Sequence, residues 1–312
     1  MLGLVIADLR VALGIGSKLA QVVLRDHPEG IRSVVLDSVF PANLNIVEDW
    51  WQAPASSFTA IFDACAAQAS CADAYPNLEA DFYATVNRLN ETPAVVEVDD
   101  GSGTPLVVNI DGYQLAYTVV MVSERRDASR VPKMLDDIAH GDAQETAETL
   151  MSMLLTPPPI VGLAGYGLAF GVFCREAANL TTEEATLARS KAVLPHFPDA
   201  VLKIQPKQGR LFTECPVLDL GEADPSMMAP VISDVPVLIL EGAFDAATAP
   251  EWVDVVRPGL SREQYIEFPF TGHGVLNKHK CAQTIMATFL AQPSQRVDRS
   301  CVADVKLEFV TS

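Results

Sequence analysis

The sequence predicts an α/β protein in which a parallel-sheet layer is split by a long, mostly helical insertion. Three observations lead there. The runs Ile31 to Leu36 and Val235 to Leu240 are short, rich in β-branched residues and apolar on both faces over most of their length, as buried parallel strands are. Segments of helical period alternate with them, and such alternation implies parallel strands joined by right-handed crossovers. Residues 41–225, between the two runs, read instead as helix and loop. The expected division is 1–40 as the N-terminal part of the sheet layer, 41–225 as the insertion and 226–312 as the C-terminal part.

The elements follow in chain order. From Leu4 to about Arg25 apolar residues recur at helical spacing, interrupted by Gly14 and Gly16, which predicts a helix before the strand 31–36. The insertion opens with Trp50 and Trp51, and helical stretches are expected near 57–89 and 133–155, with Pro157-Pro158-Pro159 as a breaker. VVEV (95–98) and LVVNI (106–110) flank Asp99-Asp100-Gly101-Ser102-Gly103, a β-hairpin signal. After strand 235–240 the chain turns at Glu241-Gly242. A helix begins at Pro250, a short strand covers 264–268, and a last helix covers about 279–291.

Composition narrows the function classes. Forty acidic against 22 basic residues give a net charge of −18, which disfavours DNA, RNA or an anionic membrane as partner. No apolar run approaches the roughly 20 residues that span a bilayer. Six cysteines occur without a C-x-x-C pair, and none of the five histidines stands at metal-ligand spacing from one, so neither a metal nor another cofactor is expected. Disulfides are the better reading, most simply Cys65–Cys71, Cys174–Cys215 and Cys281–Cys301 among the fifteen possible connectivities. Six buried thiols in a cytosolic protein are the alternative. The sequons at Asn90 and Asn179 favour export, whereas Met1 to Ala7 lacks the basic flank of a signal peptide.

In open parallel sheets reactive groups stand at the carboxyl ends of the strands. Asp245 follows strand 235–240, and His273, between Gly272 and Gly274, follows strand 264–268. An aspartate after one strand and a glycine-flanked histidine after the next can pair, the carboxylate fixing the imidazole tautomer and stabilising its charged form. Asp37, at the end of strand 31–36, reads as a turn-holding residue rather than a catalytic one. Gly14-Ile15-Gly16 is no dinucleotide fingerprint, Gly16-Ser17-Lys18 no phosphate loop, and His27 and His279 read as surface residues.

At these residues the chain resembles a known family. VPVLILEGAFDAATAPEW (235–252) and FPFTGHGVL (268–276) resemble the acid and histidine segments of α/β-hydrolases of the secreted tripeptidyl-aminopeptidase-like group. KCAQTIMATFLAQPSQRVDRSCVAD (280–304) is similar to that group's C-terminal domain. ADLRVALGI (7–15) and LAQVVLRDHPEGIRSVVLDSVFP (19–41) resemble the elements around its nucleophile. The resemblance implies an α/β-hydrolase fold with a helical lid and an extracellular serine peptidase lineage. Its substrates would be short peptides or related amides and esters, with Asp245 and His273 as catalytic residues.

The same resemblance exposes a departure. These enzymes carry their serine in a strand–turn–helix elbow, G-x-S-x-G. If Gly16 is the last glycine of that motif, Gly14 occupies the serine position. The expectation is that the nucleophile strand, its turn and the oxyanion hole have been lost, leaving Ser17 as the one nearby hydroxyl and a helix-start residue by its position. Strand 31–36 would then be an exposed sheet edge prone to self-association. The isolated chain is expected to be inactive, with a peptide- or partner-binding remnant and an incomplete gene model as the alternatives.

Overall fold

A computed structural model describes residues 9–99, 105–125, 127–155, 163–204 and 206–311. The chain forms two compact units: residues 1–44, 123–125 and 224–307, and residues 45–122, 126–223 and 308–312.

The first unit is built on a four-stranded sheet. Its elements are β1 (Leu9–Gly14), α1 (Ile15–Asp26), β2 (Val34–Val39), β5 (Val237–Gly242), α12 (Val253–Val256), β6 (Glu263–Phe268) and α13 (Lys280–Ala291). The strand order is β1-β2-β5-β6, and every pair is parallel. Alternation along the buried strands sorts side chains to two faces. Val34, Leu36, Val237 and Ile239 pack with Leu24 of α1 and Val253 of α12. Val35, Leu238 and Leu240 pack on the other face with Ile285 and Phe289 of α13. β2 and β5 are buried along their whole length. The sheet is therefore a central layer covered on both sides, with its strand ends free to carry loops.

The second unit carries α2 (Gln52–Ala67), α3 (Ala69–Ala74), α4 (Leu78–Glu91), β3 (Ala94–Val98), β4 (Leu106–Ile110), α5 (Gly112–Arg125), α6 (Val131–Ala139), α7 (Gln144–Leu155), α8 (Leu163–Glu176), α9 (Glu183–Val193), α10 (Asp199–Ile204) and α11 (Pro206–Leu218). The last three residues of α5 group with the first unit. β3 and β4 pair antiparallel, Val96 opposite Val108, as the hairpin signal requires. The turn residues Asp100 to Gly103 lie outside the described residues, as do Pro157 to Pro159. Trp51 is buried, its indole N–H donating to the Leu202 carbonyl and its ring edge-on to Phe197 and Tyr113, so it serves the core of this unit.

The N-terminal segment departs from expectation. Residues 9–14 form a strand rather than a helix, and the helix starts only at Ile15. The apolar residues of 4–15 are too continuous to distinguish the two periods, and pairing decides: β1 lies along β2, with Ala12 opposite Leu36 and Leu13 opposite Asp37. The strand–turn–helix expected to be lost is thus present. β2 is not a sheet edge, because β1 covers it, and the proposed self-association through 31–36 loses its basis. The strand also starts and ends three residues later than predicted, so Asp37 lies inside β2.

Three disulfides connect Cys65 to Cys71, Cys174 to Cys215 and Cys281 to Cys301, and no cysteine is free. They are compatible with an extracellular protein. No described helix is long and apolar enough to cross a membrane.

Candidate active site

The elbow between β1 and α1 is the first component. Gly14 adopts φ 54° and ψ −125°, a conformation that glycine enters without penalty and a side chain only under strain. Read through Ala12-Leu13-Gly14-Ile15-Gly16, the turn places small residues two positions either side of Gly14, where a strand must reverse sharply into a helix.

Ser17 locks this turn. Its hydroxyl donates to the Gly14 carbonyl at 2.6 Å and accepts the Phe40 N–H at 2.7 Å. Gln21, one turn on, donates to the carbonyls of Ser17 and Phe40. With its side chain fully buried, Ser17 ties the elbow to the end of β2 and is not placed as a nucleophile.

The second component hangs from β5 and β6. Asp245 follows the end of β5 by three residues and is fully buried. Its Oδ1 accepts the N–H groups of Ala247 and Thr248, both at 2.8 Å, and its Oδ2 accepts the Thr248 hydroxyl at 2.9 Å. His273 stands beyond β6, its Nδ1 at 3.0 Å from Asp245 Oδ2 and 3.2 Å from Oδ1. The other ring nitrogen faces the elbow: a Cβ placed on Gly14 would lie 3.0 Å from His273 Nε2. Asp245, His273 and the empty side-chain position of Gly14 thus stand in line.

Two neighbours hold this line in place: Asp37, which the sequence marks as a turn-holding residue, and Ser38, which sequence reading misses. Asp37 accepts the N–H groups of Val275 and Leu276 at 2.9 and 3.1 Å, and Ser38 accepts that of Gly274 at 2.9 Å. Three successive amides after His273 are therefore anchored by two successive side chains of β2. Ser38 takes a left-handed φ of 59° to do so. Glu241, in β5, is fully buried and accepts the Val39 N–H at 2.5 Å. A polar residue near the end of an otherwise apolar strand is the signal that could have marked it.

Burial raises the Asp37 and Glu241 carboxyls, Glu241 well above the ordinary range, with the nearby Asp245 charge adding to both. In Asp245 burial pushes the same way, but the charge and hydrogen bond of His273, with the N–H groups of Thr248 and Ala247, outweigh it and lower the pKa. In His273 burial opposes the imidazolium; the charge and hydrogen bond of Asp245, aided by Glu124 and Asp37, outweigh it and raise the pKa.

A pH signature follows. A histidine whose folded pKa lies above its unfolded value of about 6.5 contributes stability that is complete below that value and fades as pH rises through the folded pKa. Asp245 contributes with the opposite sign, present above about pH 3.8 and lost as pH falls through its lowered folded pKa. The stability difference between the native chain and His273→Gln should therefore be larger at about pH 5.5 than at about pH 8.5. Urea unfolding at the two pH values measures it, and a difference independent of pH would contradict the pairing.

Among the described residues no group of three or more His, Cys, Asp or Glu side chains could hold a metal ion.

Residues 201–301 match the family model described as TAP-like protein. No curated protein matches the sequence. The solved structures that the chain matches include BpoC of Mycobacterium tuberculosis H37Rv, described as a non-heme bromoperoxidase, at 14% identity and a TM-score of 0.32. The match covers 91% of this chain and 67% of BpoC. A second solved structure, of Rv0554 from Mycobacterium tuberculosis, matches at 14% identity and TM-score 0.31, over 90% of this chain and 64% of that one. A serine hydrolase of Cycloclasticus zankles matches at 10% identity and TM-score 0.28, over 90% and 62%. This chain therefore spans less than two thirds of the length of two of these three structures. The parallel order β1-β2-β5-β6 and the sharp strand-to-helix elbow are those of an α/β protein whose site resembles that of α/β-hydrolases, and residues 201–301 match the TAP-like family model.

Proposed function

We propose that the chain descends from extracellular serine peptidases that release short peptides or cleave related amides and esters, and that it no longer hydrolyses them by itself. In such an enzyme His273 is the general base, Asp245 orients it, and a serine at the elbow attacks the carbonyl. Here the elbow carries Gly14. The observation that supports the reading is the alignment of Gly14 with His273 Nε2, at 3.0 Å from a Cβ built there. The base is aimed at a position that has no hydroxyl to activate.

The remaining parts favour retention of a site rather than its decay. Asp245 and His273 stay in contact, and Asp37 and Ser38 anchor the histidine loop. The Ile15 N–H, first in α1, stands where the residue after the nucleophile donates to an oxyanion. Binding of a short peptide without turnover is therefore the second reading, favoured by the same preserved geometry.

The native chain is expected to show no labelling by a fluorophosphonate probe and no turnover of aminoacyl or short-peptide chromogenic substrates. Loss of the nucleophile alone removes roughly a millionfold in turnover from a serine hydrolase. His273-dependent labelling at Ser17, or at any other serine, would overturn the proposal.

A further inference from the structure

The far edge of the sheet carries a feature at the opposite end of β6 from His273. β6 pairs with β5 on one side, and among the described residues no strand pairs with its other side. A groove of about 630 Å³ lies there, touching residues 263–266 and lined by Arg257, Arg262, Arg296 and Arg299. Successive strand residues point to opposite faces, so a groove that touches four in a row lies along the edge rather than on one face.

Both banks are built. On one, the Arg257 guanidinium lies 5.3 Å over the Tyr265 ring and its Nε donates to Glu263 at 2.8 Å. On the other, the Gln264 side chain donates to the Gln295 carbonyl and accepts the Val297 N–H, both at 2.9 Å, which fixes the segment carrying Arg296 beside the strand. Arg262 is held by the Ser294 hydroxyl at 2.8 Å. Arg262, Arg296 and Arg299 are exposed, and among the described residues none of them is in an ion pair.

Four arginines against one glutamate is an unusual lining on a chain of net charge −18. We propose that this edge is a docking groove for an extended, acidic peptide segment of a partner protein. The segment adds to β6 as a further strand, and its carboxylates meet Arg262, Arg296 and Arg299. Backbone pairing supplies the affinity and the arginine forks select the charge. The overall negative charge disfavours an acidic partner elsewhere on the surface and confines it to this groove. A second copy of the same edge is a poorer occupant, since it brings the same four arginines and, among the groove's lining, only Glu263, which is already bonded to Arg257.

The test is fluorescence anisotropy of the intact chain with labelled ten-residue peptides alternating valine with glutamate or valine with lysine. A third peptide keeps the glutamates but bears N-methyl groups on alternate backbone amides, which blocks strand pairing. The glutamate peptide should bind, about tenfold or more weakly to Arg296→Glu/Arg299→Glu, and more weakly again as salt rises. The lysine and N-methylated peptides should not bind. Both replaced residues are exposed, and circular dichroism shows that the variant is folded. No binding of the glutamate peptide, binding unchanged in the variant, or equal binding of either control overturns the proposal. An equally bound N-methylated peptide would show charge attraction without an added strand.

Discussion

Gly242→Ala is expected to cost about 3 kcal/mol and to separate His273 from Asp245. Gly242 closes β5, where the loop bearing His273 crosses it with no room to spare. A Cβ there would lie 2.2 Å from the Thr271 carbonyl oxygen and 2.7 Å from that of Gly272. Both contacts are with backbone, so no side-chain rotation relieves them. The loop has to lift, and His273 is the residue that follows Gly272 directly. Chemical denaturation gives the stability change, and the His273 ring resonances titrated by NMR report its pairing. Once lifted from Asp245, the imidazole should lose its raised pKa and titrate nearer the ordinary value of about 6.5. A variant of native stability with an unshifted histidine would show that the close approach is not what holds the two loops together.

The second large effect concerns Cys174–Cys215, which joins α8 to α11 across a sequence separation of 41. In the chain-entropy account, a closure of that length stabilises by about 4 kcal/mol, more than the shorter closures at Cys65–Cys71 and Cys281–Cys301. Cys174→Ser/Cys215→Ser should therefore lower the melting temperature further than the corresponding double replacement at either other bridge. Both sulfurs are also buried in a small cluster with Val47, Phe173 and Leu211, so the serines would add two polar groups to an apolar site. Differential scanning calorimetry of the three double variants ranks them. A smaller loss at 174–215 than at 65–71 would contradict the account.

Legibility in the sequence tracks how many signals coincide. Residues 235–291 read well because apolar runs, a turn glycine, Pro250 and a helical period all punctuate the same boundaries, giving β5, α12, β6 and α13 nearly in place. The hairpin β3–β4 reads from two short β-branched runs either side of a turn rich in Asp and Gly. The first strand does not read, because an almost unbroken apolar stretch through Ile15 fits a helix as well as a strand and only its pairing with β2 distinguishes them.

The same holds within the site. Asp245 and His273 are visible because each follows a strand, His273 between two glycines, and Gly14 is visible only once the elbow pattern is laid over it. Asp37 and Glu241 stand out locally as polar residues at the ends of apolar runs, but they and Ser38 act on segments about 200 residues or more away in sequence, and no local pattern names those partners. Ser17 reads in the sequence as a helix-start residue and the one hydroxyl near the elbow, and in the structure it is buried as a brace of that turn.

We propose that this chain keeps the geometry of a serine-hydrolase site without its nucleophile. Gly14→Ser addresses it most directly. The serine takes on a backbone conformation costing about 1–3 kcal/mol, and the His273 ring has to yield by a few tenths of an ångström to admit its Cβ. The measurement is fluorophosphonate labelling of the native chain, Gly14→Ser and Gly14→Ser/His273→Ala, with the modified residue located by mass spectrometry. Labelling at position 14 in the single variant, absent from the other two proteins, is the predicted result. A folded Gly14→Ser chain that stays unlabelled, or labelling that survives the loss of His273, would contradict it.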